Sequence, residues 1–453
     1  MDATRVRIEQ PEVDPAGHPQ RPSRARWAIV GLLMALALVG HFNRLSISAA
    51  GDARIMAQYG ITPTRMGMVY SSFLLTYTLF MIPGGWLLDR YGARAALMAV
   101  GFGSAAFVAL TGVVGLAVAD AGRLVVALIV VRGLMGIVSA PLHPACARAV
   151  GSWIEPGGRS RANGLVNGAA LVGIAVAPAG FGALIARFDW PVAFLIAGLA
   201  TAGLTFVWAA YAADCPEPHS AINRAERDRI ARETSDRASD AGAADAAGWR
   251  GLLHNRSLIL LTLSYAAVGY FQYLFFYWMS YYFQSILSLP GGASRSYAAI
   301  PTLAMAVGMP LGGWVSDRVE RVLGPRRGRR VVPMVGMTAG AVFLVLGVVA
   351  QGPGWVVAWF ALAMGAVGAA EGPFWATAIA LGGKRGGSSG ALFNTGGNAG
   401  GMLAPILTPW VGQRLGWTWA IGLGGLICLM GVALWLGIDA GEDSSAEAGD
   451  AGV

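Results

Sequence analysis

The sequence predicts an all-α membrane protein of twelve transmembrane helices in two six-helix bundles. Three observations predict it. The chain is 55% hydrophobic and only 13% charged, against about 25% charged in ordinary globular proteins. Apolar runs of bilayer length, about 20 residues each, start near Trp27, Met66, Ala95, Leu124, Ala162, Pro191, Ser257, Tyr297, Val331, Val356, Gly390 and Trp419. The segment Gly85-Trp86-Leu87-Leu88-Asp89-Arg90 returns 228 residues later as Gly313-Trp314-Val315-Ser316-Asp317-Arg318, after an apolar run in both places. A duplicated membrane module with charged turns at matching positions is a signature of a solute carrier.

A soluble all-helical protein with a very large core is the alternative, but so many runs of bilayer length argue against it. The 64 glycines suit helices that must approach closely without a hydrophobic drive between them. A shift of 227 residues places Asn167, Gly173, Pro178, Arg187 and Trp190 on Asn394, Gly400, Pro405, Arg414 and Trp417. The halves are therefore expected to be parallel repeats related by an axis along the membrane normal.

The boundaries follow from these runs. Residues 1–26 form a polar tail, 27–212 and 257–438 the two bundles, 213–256 a central loop, and 439–453 an acidic tail expected to be disordered. Within the central loop, 221–237 can form a charged surface helix, and 236–248 reads as a flexible linker. The net charge of +8 does not point to nucleic acid, because basic residues cluster in alternate loops. One set runs from Arg5 to Arg26, through Arg90, Arg94, Arg159, Arg161 and 224–256, to 318–330 with Lys384 and Arg385. The positive-inside rule assigns this set to the cytoplasm, with both termini. The expected location is a bacterial inner membrane. No cleavable signal peptide is expected, since the first apolar run is too long for one. Cys146, Cys215 and Cys428 suggest neither a disulfide framework nor a metal site. No cofactor is expected, and no Ser/His/Asp set, metal cluster or phosphate loop suggests an enzyme. The expected partners are the bilayer, a small organic anion and protons, and the working unit a monomer.

Gly85-x-x-x-Asp89-Arg90-x-Gly92-x-Arg94, between spans 2 and 3, resembles the signature loop of the major facilitator superfamily. Arg132-x-x-x-Gly136 is similar to its fourth-helix motif. The resemblance covers about residues 27 to 438. A narrower resemblance, to the anion:cation symporter family, lies in Asn43-Arg44-Leu45-Ser46, in Tyr77 through Leu87, in Arg132 through Pro141, and in Asn394-Thr395-Gly396-Gly397-Asn398. It implies import of an organic carboxylate, such as a sugar acid, dicarboxylate or aromatic acid, by alternating access with a coupled proton. An efflux antiporter, for which Gly164, Gly173 and Ala177-Pro178 partly fit a motif, and a facilitated-diffusion carrier are the alternatives. A non-transporting receptor is a third class.

Ionisable residues at membrane depth are costly and usually functional. Arg44 and Arg132 fall near mid-membrane, and two guanidiniums facing one cavity would bind carboxylate through charge-assisted hydrogen bonds. The resemblance implies substrate binding by Arg44 and a supporting role for Arg132; a structural salt bridge is the alternative for either. The family usually has carboxylates where this chain has Asn43 and Ser139, and they are proton carriers there. His41, His143 and Glu371 remain as candidates for that role here. His41 shares a helix face with Arg44; histidine titrates near neutrality. Either histidine could instead be a neutral packing residue, and Glu371 could pair with an arginine or stay protonated.

Further substrate contacts are expected from Tyr273 and Tyr277 in the tyrosine-rich span 7. Asn394 and Asn398, one turn apart, and Trp375, one turn from Glu371, complete the set. The resemblance adds Tyr77 as a cavity tyrosine. Aromatic packing is the competing role for each ring. The expected gate comprises Asp89, Arg90, Arg94, Asp317 and Arg318. Asp89 would dock on the positive N-terminal end of span 11, and Asp317 on that of span 5.

Overall fold

A computed structural model describes residues 23–155, 158–216, 219–227, 230, 249–382 and 386–439. The described residues contain helices and no strands. Twelve spans result. Span 1 is Ala25–Ala50, prolonged by a π-helical turn at Gly51–Ile55 and by Met56–Tyr59. Span 2 is Pro63–Leu79 with the first part of Met81–Ala117; span 3 is the rest of that run. Gly92 separates them with φ 82°, a conformation glycine adopts at no steric cost. Span 4 is Ala121–Ser139 and Leu142–Trp153, broken at Pro141, which lacks the N–H an unbroken helix needs. Spans 5 and 6 are Arg159–Phe188 and Trp190–Tyr211.

The second half repeats this plan. After the short helix Trp249–His254, span 7 is Arg256–Tyr281 with a π-helical end at Tyr282–Ile286. Spans 8 to 12 are Gly291–Leu323, Pro325–Val349, Pro353–Gly382, Gly386–Leu415 and Trp417–Leu434. Several starts carry their own caps. Asp120 accepts from the Arg123 amide at 2.8 Å and Asn255 from the Leu258 amide at 3.0 Å, each satisfying a donor the helix leaves orphaned. Boundaries shift modestly from the sequence expectation. Span 8 begins at Gly291, not Tyr297, because a small polar turn extends the helix beyond its apolar stretch.

Among the described residues, ten helices are long and apolar enough to cross a membrane by length and composition. Spans 2 and 11 pack against each other between the bundles. A Cβ on Gly67 of span 2 would meet the Pro405 carbonyl oxygen of span 11, and Ser71 donates to the Met402 carbonyl at 2.7 Å.

The internal repeat is visible in the packing. Spans 1 and 5, 2 and 4, and 3 and 6 pair in the first half; spans 7 and 11, 8 and 10, and 9 and 12 pair in the second. The turns before spans 6 and 12 both have positive φ, 63° at Asp189 and 94° at Gly416. Across the bundles, span 2 meets span 11 and span 5 meets span 8, a symmetric exchange of partners.

With twelve spans, both described ends lie on one face, here called the terminal face. The cross-bundle contacts at Gly67–Pro405, Ser71–Met402 and Thr64–Gln413 all belong to the opposite, far half. At the terminal face, Arg26 bonds Glu155 at 3.0 Å and approaches Glu226 at 3.5 Å. The expected charged helix in the central loop is helical at 224–227 and 230. It is not a free surface element there, for Ile222, Glu226 and Ile230 are buried against the first bundle. The expected linker, Lys384, Arg385 and all of the acidic tail except Asp439 lie outside the described residues.

Candidate functional site

Between the bundles lies a cavity of about 400 Å3, a size typical of small-molecule sites. Its walls come from the middle of the spans and from the half nearer the terminal face: His41 and Arg44, His143, Asn167, Tyr265 with Gln272 and Tyr273, Glu371 with Trp375, and Asn394. The far half is closed by the contacts just described, so the cavity opens toward the terminal face.

Arg44 sits on this wall, 7% exposed. Its guanidinium donates to the Tyr273 hydroxyl of the other bundle. Tyr273 in turn donates to Asn398 Oδ1 at 3.3 Å. The guanidinium also lies 5.0 to 5.2 Å from the ring centres of Tyr273, Phe73 and Tyr77, close enough for cation–π attraction. No carboxylate among the described residues pairs with it, and its Nε has no hydrogen-bond partner.

Arg132 departs from the sequence expectation. It is fully buried and is not on the cavity wall. Its Nη2 donates to the Arg44 carbonyl at 2.6 Å and its Nη1 to the Asn43 carbonyl at 3.3 Å. Both bonds tie span 4 to the backbone that carries Arg44. Apolar pairing along the helix gives the face of an arginine but not its reach; this side chain is held by carbonyls close by. The two guanidiniums share one ring, since Arg132 lies 5.2 Å from the Phe73 centre on which Arg44 also rests. The centre of the membrane thus holds two neighbouring cations balanced by rings, carbonyls and a phenol.

The histidines meet. His41 Nδ1 is 3.0 Å from the Ala37 carbonyl, and its Nε2 is 3.4 Å from His143 Nε2. A carbonyl only accepts, so Nδ1 of His41 carries the proton. In the neutral tautomer His41 Nε2 then accepts and His143 Nε2–H donates. Glu371 faces the same cavity. Tyr265 donates to one of its oxygens at 2.9 Å and Gln272 Nε2 to the other at 2.5 Å. No arginine reaches it among the described residues.

Of the remaining expected contacts, Trp375 and Asn394 line the cavity. Asn398 stands behind them, bonded to the Asn394 carbonyl at 3.1 Å and to Tyr273. Tyr77 lies on the side of Arg44 away from the main cavity, lining a small pocket of about 30 Å3 inside the first bundle. Tyr277 is buried, stacked between Tyr70 and Tyr273 at 5.0 and 6.1 Å. It misses the wall because it lies one turn deeper into the closed half than Tyr273. The two positions that replace carboxylates bond within the first bundle, although Asn43 Oδ1 finds no partner. Asn43 Nδ2 donates to Thr201 at 2.8 Å, and Ser139 and Ser104 are 3.2 Å apart.

Sequence reasoning missed Gln272, Tyr265 and Asn167. Only Asn167 left a signal, as the repeat partner of Asn394; the two face one cavity from opposite bundles. The expected gate residues lie at the terminal face. Arg90 rests over Trp86 at 5.7 Å and Arg318 over Trp314 at 4.1 Å, the same arrangement in each repeat. Arg94 donates to the Ala209 carbonyl at 2.6 Å, and its amide is capped by Asp214 at 2.8 Å. Asp317 is exposed. The Asp89 side chain lies outside the described ones.

Two helical bundles closed at one end over a central cavity with polar groups on its wall are the architecture of a membrane transporter. Residues 32–391 match the family profile of the Major Facilitator Superfamily, and the chain belongs to that superfamily. It is 26% identical over 394 residues to SauU of Cupriavidus necator, named as a probable sulfoacetate transporter, covering 87% of this chain and 89% of the relative. It is 28% identical over 418 residues to GudP of Bacillus subtilis, named as a probable galactarate/D-glucarate transporter, covering 89% of each. The fold is similar to that of a bacterial homologue of the human lysosomal transporter Spinster, in an inward-facing and occupied conformation. The TM-score is 0.71 at 14% identity, over 91% of this chain and 96% of that one.

One prediction separates the two arginines. Arg132→Ala removes two bonds from a charged donor and should lower stability in detergent by on the order of 3 kcal/mol. Arg44→Ala removes a like charge beside Arg132 and should leave the ligand-free protein's melting temperature within a few degrees of wild type. An Arg132→Ala variant that unfolds within a few degrees of wild type would show that Arg132 holds nothing.

Proposed function

We propose that this protein imports an organic carboxylate, of the sugar-acid, dicarboxylate or aromatic-acid class, by alternating access with a coupled proton. Arg44 carries the reading. A guanidinium on the wall of a mid-membrane cavity, beside a second cation and without a carboxylate partner, is a site made for an anion. Asn167 and Asn394 offer amide groups to hydroxyls from either side, and Trp375 and Tyr273 offer ring faces. The names of SauU and GudP, both of which refer to organic anions, support the same class.

Both termini are assigned to the cytoplasm by the alternation of basic loops, in a bacterial inner membrane. The cavity then faces inward. The two six-helix halves, at 27–212 and 257–438, act as the rocking units, and the working unit is a monomer. Arg132 supports binding at one remove by fixing the Arg44 segment. His41, His143 and Glu371 share the cavity with Arg44, and one of them is assigned the proton. Asp89 and Asp317, with Arg90, Arg94 and Arg318, are assigned to the cytoplasmic latch. An exposed Asp317 suits a latch that is released when the cavity is open inward.

The substrate is found by a thermal-shift screen of purified protein against sugar acids, dicarboxylates and aromatic acids, since a native-state ligand raises stability by mass action. Arg44→Ala should abolish the shift. Arg44→Lys should restore little of it, because an ammonium lacks the planar fork. An unchanged affinity in either variant would remove Arg44 from the site.

Coupling is tested by His41→Gln, His143→Gln and Glu371→Gln in proteoliposomes. The variant lacking the proton carrier should lose proton-driven accumulation and keep substrate counterflow. Normal accumulation by all three would leave facilitated diffusion or another driving ion.

The latch makes a separate prediction. Asp89→Asn should lengthen label distances across the cytoplasmic face toward open states while substrate affinity at a fixed conformation changes little. An unshifted distance distribution would contradict the latch.

A further inference from the structure

A further buried carboxylic acid, Asp52, lies outside the cavity. Asp52 occupies the π-helical turn Gly51–Ile55 that prolongs span 1 toward the far face. It is 7% exposed, and its polar neighbours across the bundle interface are neutral: the Ser280 hydroxyl and the Tyr281 backbone of span 7. Three elements surround it. Its own turn contributes Arg54, which is exposed and turned to Asp189 at 4.0 Å. Span 7 contributes Ser280 and Tyr281. Span 2 contributes Tyr70, whose hydroxyl lies against Gly51 and is itself without a partner. No cation among these reaches the carboxylate. Span 7 also ends in a π-helical turn, Tyr282–Ile286, so the two repeats place the same irregularity at the same closed mouth. Single π-helical turns inside α-helices are frequent at functional sites.

The placement matters because Asp52 is buried by the closure itself. Spans 1 and 2 belong to one bundle and span 7 to the other. An ionised carboxylate with no cation beside it is costly to bury, whereas the neutral acid is tolerated. When the bundles part on the far side, the contacts from span 7 are withdrawn and the group meets water. From there, a continuous stack leads to the anion site: Tyr70 stacks on Tyr277 at 5.0 Å, Tyr277 on Tyr273 at 6.1 Å, and Tyr273 bonds Arg44.

We propose that Asp52 is a proton-binding site of the transport cycle: the far-face gate closes on the neutral acid and opens with the carboxylate. On closing, the Asp52 O–H bond forms with a proton taken from the far side; on opening, that bond breaks and the proton returns to the same side. External acid then favours the inward-open state. This inference rests on the alternating-access reading but on no particular substrate, so it is tested without one.

The test uses spin labels at Ala57 and Gly292, exposed positions flanking the far mouth, with Cys215 replaced by serine. The full-length protein in nanodiscs is measured by pulsed electron resonance between pH 5 and pH 8. In the wild type the closed-to-open ratio should fall as pH rises, by up to about tenfold for each unit, the limit for one proton. Asp52→Asn, an isostere of the neutral acid, should stay closed at every pH. Asp52→Glu, which still titrates, should retain the response and guards against an Asn variant that fails to fold. A pH-independent wild type overturns the proposal, as does an Asn variant that responds like the wild type. Failure of the substrate screen would leave this result untouched, so the two readings fail separately.

Discussion

Everything at the centre of this protein depends on holding a guanidinium in the middle of a bilayer without neutralising it. A charge at that depth needs internal partners, because lipid offers none. Arg132 supplies the frame by bonding the carbonyls of Asn43 and Arg44. Phe73 lies against both cations, and Tyr273 accepts from Arg44 across the bundle interface. These partners are neutral. They tolerate the charge without neutralising it, whereas a carboxylate would have quenched it.

The same constraint links binding to closure. Arg44 belongs to one bundle and Tyr273 to the other, and Tyr273 continues through Tyr277 and Tyr70 to the closed mouth. A ligand that draws Arg44 away from Tyr273 acts on a contact that also belongs to the gate. A packed stack of rings thus joins the wall that carries Arg44 to the closed mouth.

Much of this was legible in the sequence, for physical reasons. Hydropathy reports what is long and apolar enough to cross a bilayer, so all twelve runs, from Trp27 to Trp419, announce themselves in the sequence. Arg44, His41 and His143 were found because a charged or titratable group at depth is conspicuous, and helical spacing set two of them on one face. Periodicity gives a face but not a depth. It could not separate Tyr273 on the wall from Tyr277 one turn beyond, nor show that Arg132 points into backbone. Gln272 was silent because a neutral amide in an aromatic helix carries no signal until Glu371 is seen beside it. Asp52 was missed for a related reason: it follows the apolar run and reads as loop, and only the π-helical extension carries it into the packed mouth.

The proposed site makes Arg44 the anion's contact. It is tested most directly by an experimental structure of the protein with a bound six-carbon sugar dicarboxylate. A carboxylate within hydrogen-bond distance of the Arg44 guanidinium, with the remaining groups toward Asn167, Asn394 and Trp375, is the result predicted. A ligand bound in the cavity with both carboxylates away from Arg44, and the Arg44–Tyr273 bond intact, would contradict it.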